Sequence, residues 1–404
     1  MKKNISVDEA RELFLSLPMT YETEIVSLPD ALDRVAACDF AAVIPYPPFK
    51  RSPFDGYAFR SGDTADATKE HPAVLKINQE IPCGFEPSAD IPSGYAAKIL
   101  TGAPIPDGAD IILKFEDTEF TETEVRIFSP QETHFNIIEP GEDFPAGKLL
   151  VPKGTVITPA VMGILASQGV AKIEVFKKPV LSVINTGTEL IQPGNPLTPA
   201  KIYNSSMYTL QGYIKDIGAD FLDGGIAEDD PAKIVAAIES VYDDSDMIIT
   251  TGGASVGDYG CAVSSAQLAD GDILFWKVSL KPGGAILAYT LRGKLVLSLS
   301  GNPGAAALGL LYIALPYIRK LCGRSDLFPE VCTVFLKKEL TKSNPKTRVM
   351  RGYLSVEDGT AYFIENESQG SGDISSFNRC DLLAEIPEGS PPLSAGMPVK
   401  AYRI

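Results

Sequence analysis

Histidine is almost missing from this chain: His71 and His134 are the only two in 404 residues. They sit in different sequence contexts, which argues against Ser-His-Asp, Cys-His and HExxH chemistry. The six cysteines (Cys38, Cys83, Cys261, Cys322, Cys332 and Cys380) form no C-x-x-C pair. A zinc site or redox dithiol is therefore not expected, and reduced thiols in a cytoplasmic protein are the simpler reading. A basic surplus is also lacking. Lys and Arg total 36 against 52 Asp and Glu, a net charge of −16, so no nucleic-acid-binding face is expected. The longest apolar run follows Pro303, ends near Ile318 and contains Pro316. It is too short to span a bilayer and reads as a buried helix, so no membrane partner is expected. The N-terminal lysines precede no apolar core of a signal peptide.

What is abundant is punctuation: 35 Gly and 31 Pro imply many turns and short strands. The length supports two to four domains. Ser6-x-x-Glu9 is a capping box before an amphipathic opening helix, and a further helical piece is expected over Pro29 to Ala37. Proline and short β-like runs then dominate, among them Ala73–Ile77, Ile111–Phe115 and Val125–Phe128. Near Pro179 an α/β pattern begins with the apolar strand Val180–Ile184. Asn204 or Ser205 caps a helix stopped by Gly218, and Asp230-Pro231 opens a second. After Pro329 the chain reads as β again.

The chemistry concentrates between Asn185 and Gly304. Three buried strands run into Gly-rich loops: Asn185-Thr186-Gly187-Thr188-Glu189, Thr250-Thr251-Gly252-Gly253-Ala254-Ser255-Val256-Gly257-Asp258, and Ser298-Leu299-Ser300-Gly301-Asn302-Pro303-Gly304. Open α/β sheets present bare amides to anions at such strand ends. None matches a dinucleotide fingerprint or a P-loop. One such loop would be an ordinary tight turn; three in one α/β unit favour an anion site. If Phe275–Leu280 is a strand, Lys277 and Ser279 share one face and Lys281 sits at its exit. The plain alternative is a pair of solvated edge lysines. Asp55, Asp143, Glu189, Asp229, Asp230 and Asp258 are each ordinary surface charge or, for Asp230, a helix cap. A subset brought together would suit a hard divalent cation such as Mg²⁺.

Nine segments taken in order resemble the molybdopterin molybdenumtransferase family (the bacterial MoeA type and the E domain of gephyrin). They are RSPFDGYAFRSGD (51–63), ILTGAPIPDGAD (99–110), IEPGEDFPAG (138–147), INTGTEL (184–190), GGIAEDDP (224–231), TTGGASVGD (250–258), FWKVSLKPG (275–283), LSGNPGAAAL (299–308) and QGSGDISS (369–376). The resemblance implies an elongated multidomain α/β plus β chain. A discontinuous mixed α/β domain would cover 1–45 and 143–178, and an inserted β-rich domain 46–142. A molybdopterin-binding α/β domain, its mixed or parallel sheet flanked by helices, would cover 179–327, and a C-terminal β-barrel-like domain 328–404. It implies insertion of molybdate into adenylylated molybdopterin with release of AMP, Mg²⁺ dependence, and a homodimer in which the partner's β-rich domain helps close the cleft. The molybdopterin adenylyltransferase and cofactor-accepting apo-enzymes would be protein partners.

The site residues implied are Asp55, Thr101, Glu189, Lys277 and Lys281 for catalysis. Thr186, Gly187, Gly252, Gly253, Ser255, Gly257, Ser300, Gly301, Asn302, Pro303 and Ser371 would bind substrate. Asp143, Asp229, Asp230 and Asp258 would handle metal. Three positions depart from the family pattern: Gly260 where an acid is common, Ser300 where proline is usual, and Phe54 where methionine is usual. Gly260 motivates one alternative, a non-catalytic pterin-binding carrier, and a molybdopterin adenylyltransferase is kept as another.

Overall fold

The computed structural model describes residues 2–253 and 260–404. They fall into two compact units: Met1–Cys38, Lys153–Pro159 and Lys172–Ile404 in one, Asp39–Pro152 and Ala160–Ala171 in the other.

The larger unit is built on a seven-stranded sheet in the order Lys2–Ile5, Asp272–Val278, Leu287–Leu291, Lys294–Leu299, Met247–Thr251, Val180–Thr186, Asp220–Ala227. Only Leu287–Leu291 runs against the others. The central strands Val180–Thr186, Met247–Thr251 and Lys294–Leu299 are nearly continuous buried runs because helices cover both faces. Leu181, Val183, Met247 and Ile249 meet the helices Ser205–Ile217 and Pro303–Leu321 on one face. Ile184, Ile248 and Val296 meet Pro231–Val241 and Cys261–Leu268 on the other. Helix ends follow their signals. Ser6 Oγ accepts from the Glu9 amide at 3.1 Å, Asn204 and Asp230 cap their helices, and Gly218 ends one at φ 101°. By length and apolarity Pro303–Leu321 could cross a membrane, yet 83% of its most apolar window is buried inside the fold.

A closed barrel completes this unit. Thr347–Glu357, Thr360–Glu365, Val331–Leu336, Pro398–Arg403 and Leu382–Ile386 pair in that order, and the last returns to the first. Closure leaves no free edge among these five. Asp358 and Gly359, at φ 47° and 78°, turn the first hairpin in the manner Asp-Gly pairs favour. The smaller unit holds a six-stranded sheet ordered Ile111–Lys114, Gly56–Phe59, Tyr95–Ile99, Ala73–Ile81, Glu124–Ile127, Glu119–Phe120.

Two local expectations are corrected. The segment from Pro29 to Ala37 forms only a tight turn over Leu28–Ala31. Its remainder is extended because Ala36 donates to Thr155 and Ala37 to Glu174. The supposed strand Phe275–Leu280 ends at Val278. Lys277 has φ 70°, which breaks the pleat: Phe275, Val278 and Leu280 join one core and Trp276 the other. Lys277 and Ser279 therefore do not share a strand face.

A buried polar knot ties the opening helix to the central helix and barrel. Arg11 donates to the Tyr312 carbonyl from Nε at 3.0 Å and from the terminal nitrogen at 2.6 Å. The Tyr312 and Tyr402 hydroxyls both donate to Glu385 Oε2, at 2.5 and 2.7 Å. Gly309–Ala314 widens to π-type turns at this point, leaving the Tyr312 carbonyl to Arg11. Tyr312→Phe should lower the unfolding free energy by about 1.5–3 kcal/mol, the worth of a hydrogen bond to a charged acceptor. Urea titration would show this as a lower midpoint at unchanged slope.

Candidate active site

All the chemistry-bearing loops of the α/β sheet leave its carboxyl edge. Strand Val180–Thr186 has Asp220–Ala227 on one side and Met247–Thr251 on the other, so the connection order reverses there. Ligand clefts form at such a reversal. A cleft of about 780 Å³ opens at this point, lined among others by Thr186, Glu189, Asp229, Gly252, Gly253 and the run Ser300 to Pro303.

Hydrogen bonds between neighbouring strand tips fix its floor. Asn185 Nδ2 donates to Thr251 Oγ1 at 2.6 Å, and Asn204 Nδ2 donates to Asn185 Oδ1 at 3.0 Å. Thr250 Oγ1 donates to Ser298 Oγ at 2.8 Å. These groups are buried, where an unpaired one would destabilise the fold by about 1–3 kcal/mol. Gly252 is required in this packing. It has φ 95°, and a Cβ there would stand 2.4 Å from the Thr186 carbonyl and hydroxyl oxygens. The Thr186 hydroxyl is buried and has no partner among the described residues, although Thr186 lines the cleft. Such an orphan is a group that a ligand can satisfy.

Charge is distributed unexpectedly. The described lining holds two carboxylates, Glu189 and Asp229, and no basic side chain. Asp230 instead accepts from the Ala232 and Lys233 amides at 2.9 and 3.1 Å as a helix cap. Gly187 is buried beside the Glu189 carboxylate rather than in the lining. Lys277 lies with its ammonium 4.3 Å from the Trp276 ring centroid. Lys281 is exposed on a two-residue strand paired in parallel with Thr347 and Arg348 of the barrel. Neither Lys281 nor Arg348 pairs with an acid among the described residues, so together they form a cationic seam.

The turn that carries Ser371 reaches the cleft at the start of the central helix, Pro303–Leu321. Asn302 Nδ2 donates to Ser371 Oγ at 3.2 Å, and the Ala305 amide donates to the Ser371 carbonyl at 2.9 Å. Gly304 makes room: a Cβ there would be 2.9 Å from the Ser371 and Asp373 carbonyls and 3.1 Å from an Arg351 nitrogen. The Gly283 position, just after Lys281, lies against Ala305 of the same helix turn.

Arg351 was not singled out from the sequence. It is fully buried, with one guanidinium nitrogen unpartnered. Its other contacts are the Gln369 side-chain oxygen at 3.4 Å and the Gly370 carbonyl at 3.2 Å. A basic residue inside an alternating barrel strand, between Met350 and Gly352, was the available signal. Cys261 and Ile202 also line the cleft and were not named. Ser255, Gly257 and Asp258 lie outside the described residues.

Asp55, Thr101 and Asp143 belong to the smaller unit. Asp143 is exposed. Asp55 Oδ1 accepts from the Thr101 amide at 2.8 Å and its hydroxyl at 2.7 Å. These two bonds, the amide first, hold the Asp55 carboxyl below its ordinary value. A depressed carboxylate favours the fold at neutral pH, and that contribution fades as pH falls through the folded-state pKa. Thr101→Val should raise the Asp55 pKa toward about 3.9, read by titrating its side-chain carbon resonance. An unchanged titration would detach Thr101 from the ionisation of Asp55.

Comparison with known proteins agrees over the whole length. Residues 5–169 match the MoeA N-terminal region (domain I and II). Residues 182–320 match a probable molybdopterin binding domain and 333–404 the MoeA C-terminal region (domain IV). The molybdopterin molybdenumtransferase of Bacillus subtilis is 33% identical over 99% of this chain and 94% of that protein. That of Staphylococcus aureus is 30% identical over 98% and 94%. A crystal structure of the molybdopterin biosynthesis MoeA protein from Pyrococcus horikoshii superposes with a TM-score of 0.85 at 27% identity, covering 99% of this chain and 100% of that one. With three family regions in order and a relative this similar end to end, the chain belongs to the molybdopterin molybdenumtransferase family.

Proposed function

We propose that the protein inserts molybdate into adenylylated molybdopterin: the phosphoanhydride is cleaved, AMP leaves and the metal stays on the pterin dithiolene. The observation that carries this reading is the convergence of the Thr186, Gly252–Gly253 and Ser300–Pro303 loops in one cleft. The pterin and nucleotide occupy that cleft. The phosphates lie at the Ser300–Pro303 turn that opens the central helix, where the helix dipole favours negative charge. Ser371, Lys281 and Arg348 receive the molybdate oxyanion, and Lys277 adds positive charge nearby. Catalysis rests on positioning and on fixed charge aimed at the leaving phosphate, with no side-chain nucleophile.

A divalent cation fits the donor set. Glu189 and Asp229 line the same cleft, and no group of three or more acidic, His or Cys ligands occurs among the described residues. Mg²⁺ commonly takes one or two carboxylates and completes its sphere with water and phosphate oxygens. Glu189 and Asp229 would hold it, with Asp258 as a further ligand. When bound it neutralises phosphate charge in a lining that otherwise repels it. The reading includes a homodimer, in which Asp55, Thr101 and Asp143 serve catalysis and metal handling. It also includes the four-domain division given above and a cytoplasmic setting, which the six unbridged thiols support.

AMP release from adenylylated molybdopterin should require both molybdate and Mg²⁺, followed chromatographically with each component omitted in turn. No release with everything present would refute the transferase reading. Lys281→Ala should lower kcat/KM roughly tenfold to a hundredfold, corresponding to about 1.5–3 kcal/mol for a charge contact, without altering thermal stability. Unchanged kinetics would return Lys281 to the solvated surface. One observation favours a second reading. Gly260 lines the cleft without a carboxylate, as a non-catalytic carrier could tolerate, and tight pterin binding without AMP release would select it.

A further inference from the structure

We infer that Asn302 couples the nucleotide-pterin cleft to an oxyanion position at Ser371, so that filling either one tightens binding at the other. The inference rests on the functional reading above. Asn302 stands at the N-cap position of the central helix, yet its side chain makes no capping bond. Its amide is directed elsewhere. The backbone N–H donates to Ser300 Oγ at 3.2 Å, and Nδ2 donates to Ser371 Oγ at 3.2 Å. Asn302 and Ser300 both line the cleft. Ser371 belongs to the turn that Arg351 and Gln369 anchor to the barrel through the Gly370 carbonyl and the Arg351 backbone. One side chain therefore joins a residue of the cleft to the turn that carries Ser371.

Serine at position 300 makes this arrangement possible. Proline there would offer no hydroxyl to the Asn302 amide. With Oγ of Ser371 accepting from Asn302, the serine's own hydrogen is directed away from the amide and is available to an oxyanion. Ser300, Asn302 and Ser371 are all partly or fully exposed, so in the unliganded protein the link holds two solvated turns together. A phosphate on the Ser300–Pro303 turn immobilises Asn302. An oxyanion that then binds through Ser371 meets a turn already ordered. Coupling of this kind is reciprocal by thermodynamic necessity. Its size is bounded by one partly exposed hydrogen bond, about 2- to 10-fold in affinity.

AMP and tungstate are suitable probes, since AMP carries no anhydride to cleave. Calorimetric titration of the wild-type protein should show tungstate binding about 2- to 10-fold tighter with saturating AMP, and AMP tightened by the same factor with tungstate. Asn302→Ala removes a residue of the cleft, so AMP alone should bind more weakly, but the factor by which each ligand tightens the other should fall to about one. Ser371→Ala removes the hydroxyl that receives the oxyanion, so tungstate alone should bind more weakly, with the factor again at about one and no further loss of coupling in the double variant. Wild-type coupling retained in Asn302→Ala, or affinities in the wild type that ignore the other ligand, would overturn the inference. Failure of either ligand to bind the wild-type protein would instead overturn the functional reading, and the inference with it.

Discussion

The lacing of neighbouring strand tips by buried side-chain hydrogen bonds is the constraint on which the rest of the site depends. Backbone pairing alone sets the register of a parallel sheet but leaves the loops beyond it free. Here Asn204, Asn185 and Thr251 form one hydrogen-bonded series, and Thr250 and Ser298 form a second. The tips of three strands are thereby tied just below the cleft. The close approach of Gly252 to Thr186, and of Gly301 to Gly252, is then possible only without side chains. Rigid floor and bare backbone are two sides of one arrangement: the first lets the second be held at a defined distance from a ligand.

An anionic substrate in a chain of net charge −16 poses an electrostatic problem, and the geometry divides it in two. The described lining of the cleft carries Glu189 and Asp229 and no cation. Backbone amides at the helix start and a bound divalent ion suit that half. Fixed positive charge sits apart, where Lys281 pairs with Arg348. Separating the two keeps the acids from neutralising the bases directly. On the proposed reading, each charge type would serve a different part of the substrates: carboxylates through a cation to phosphate, and bases to the metal oxyanion. Because the seam is exposed, its attraction is screened within about 10 Å at 0.1 M salt. It acts on ligands already near the helix start rather than steering from afar.

Much of the α/β layer was legible because its strands are buried on both faces and its helices carry strong end signals. Val180, Met247, the Asn204 and Asp230 caps and the Gly218 stop all read directly from residue type. The convergence of three glycine loops was legible for the same reason, since parallel strands in one sheet present their carboxyl ends together. Positions that depend on tertiary pairing were not. The segment after Ala31 has helical composition but is drawn into extended pairing with Thr155 and Glu174. The left-handed backbone at Lys277 has no local signature, and it alone reverses which side chains after Trp276 face which core. Short edge pairing of Lys281 with Arg348 joins residues 67 positions apart, a separation over which local pattern carries no information. The roles of Asn185 and Asn204 were hidden similarly: each is an ordinary turn or cap residue until its partner is known.

Arg351 shows how the barrel contributes without supplying much surface to the cleft. Its guanidinium is buried and makes no ion pair among the described residues, satisfied in part by Gln369 and the Gly370 carbonyl, with the Phe377 ring 5.5 Å away and the charge of Asp373 acting on it. Burial presses its pKa below the ordinary value, but arginine remains charged at neutral pH because that value is so high. A charge in this position is unfavourable for the isolated fold. Three features lower the penalty. The carbonyl and amide oxygens of the Gln369–Gly370 turn point their negative ends at it, the carboxylate of Asp373 acts on it favourably, and on the proposed reading an anion at Ser371 would add further counter-charge. The first feature makes the arginine a brace for the turn that carries Ser371. The third would give ligand binding a favourable contribution that the unliganded protein lacks. A lysine would supply the charge but not the planar fork that reaches both oxygens, so the residue that is costly to bury also fixes the turn that carries Ser371.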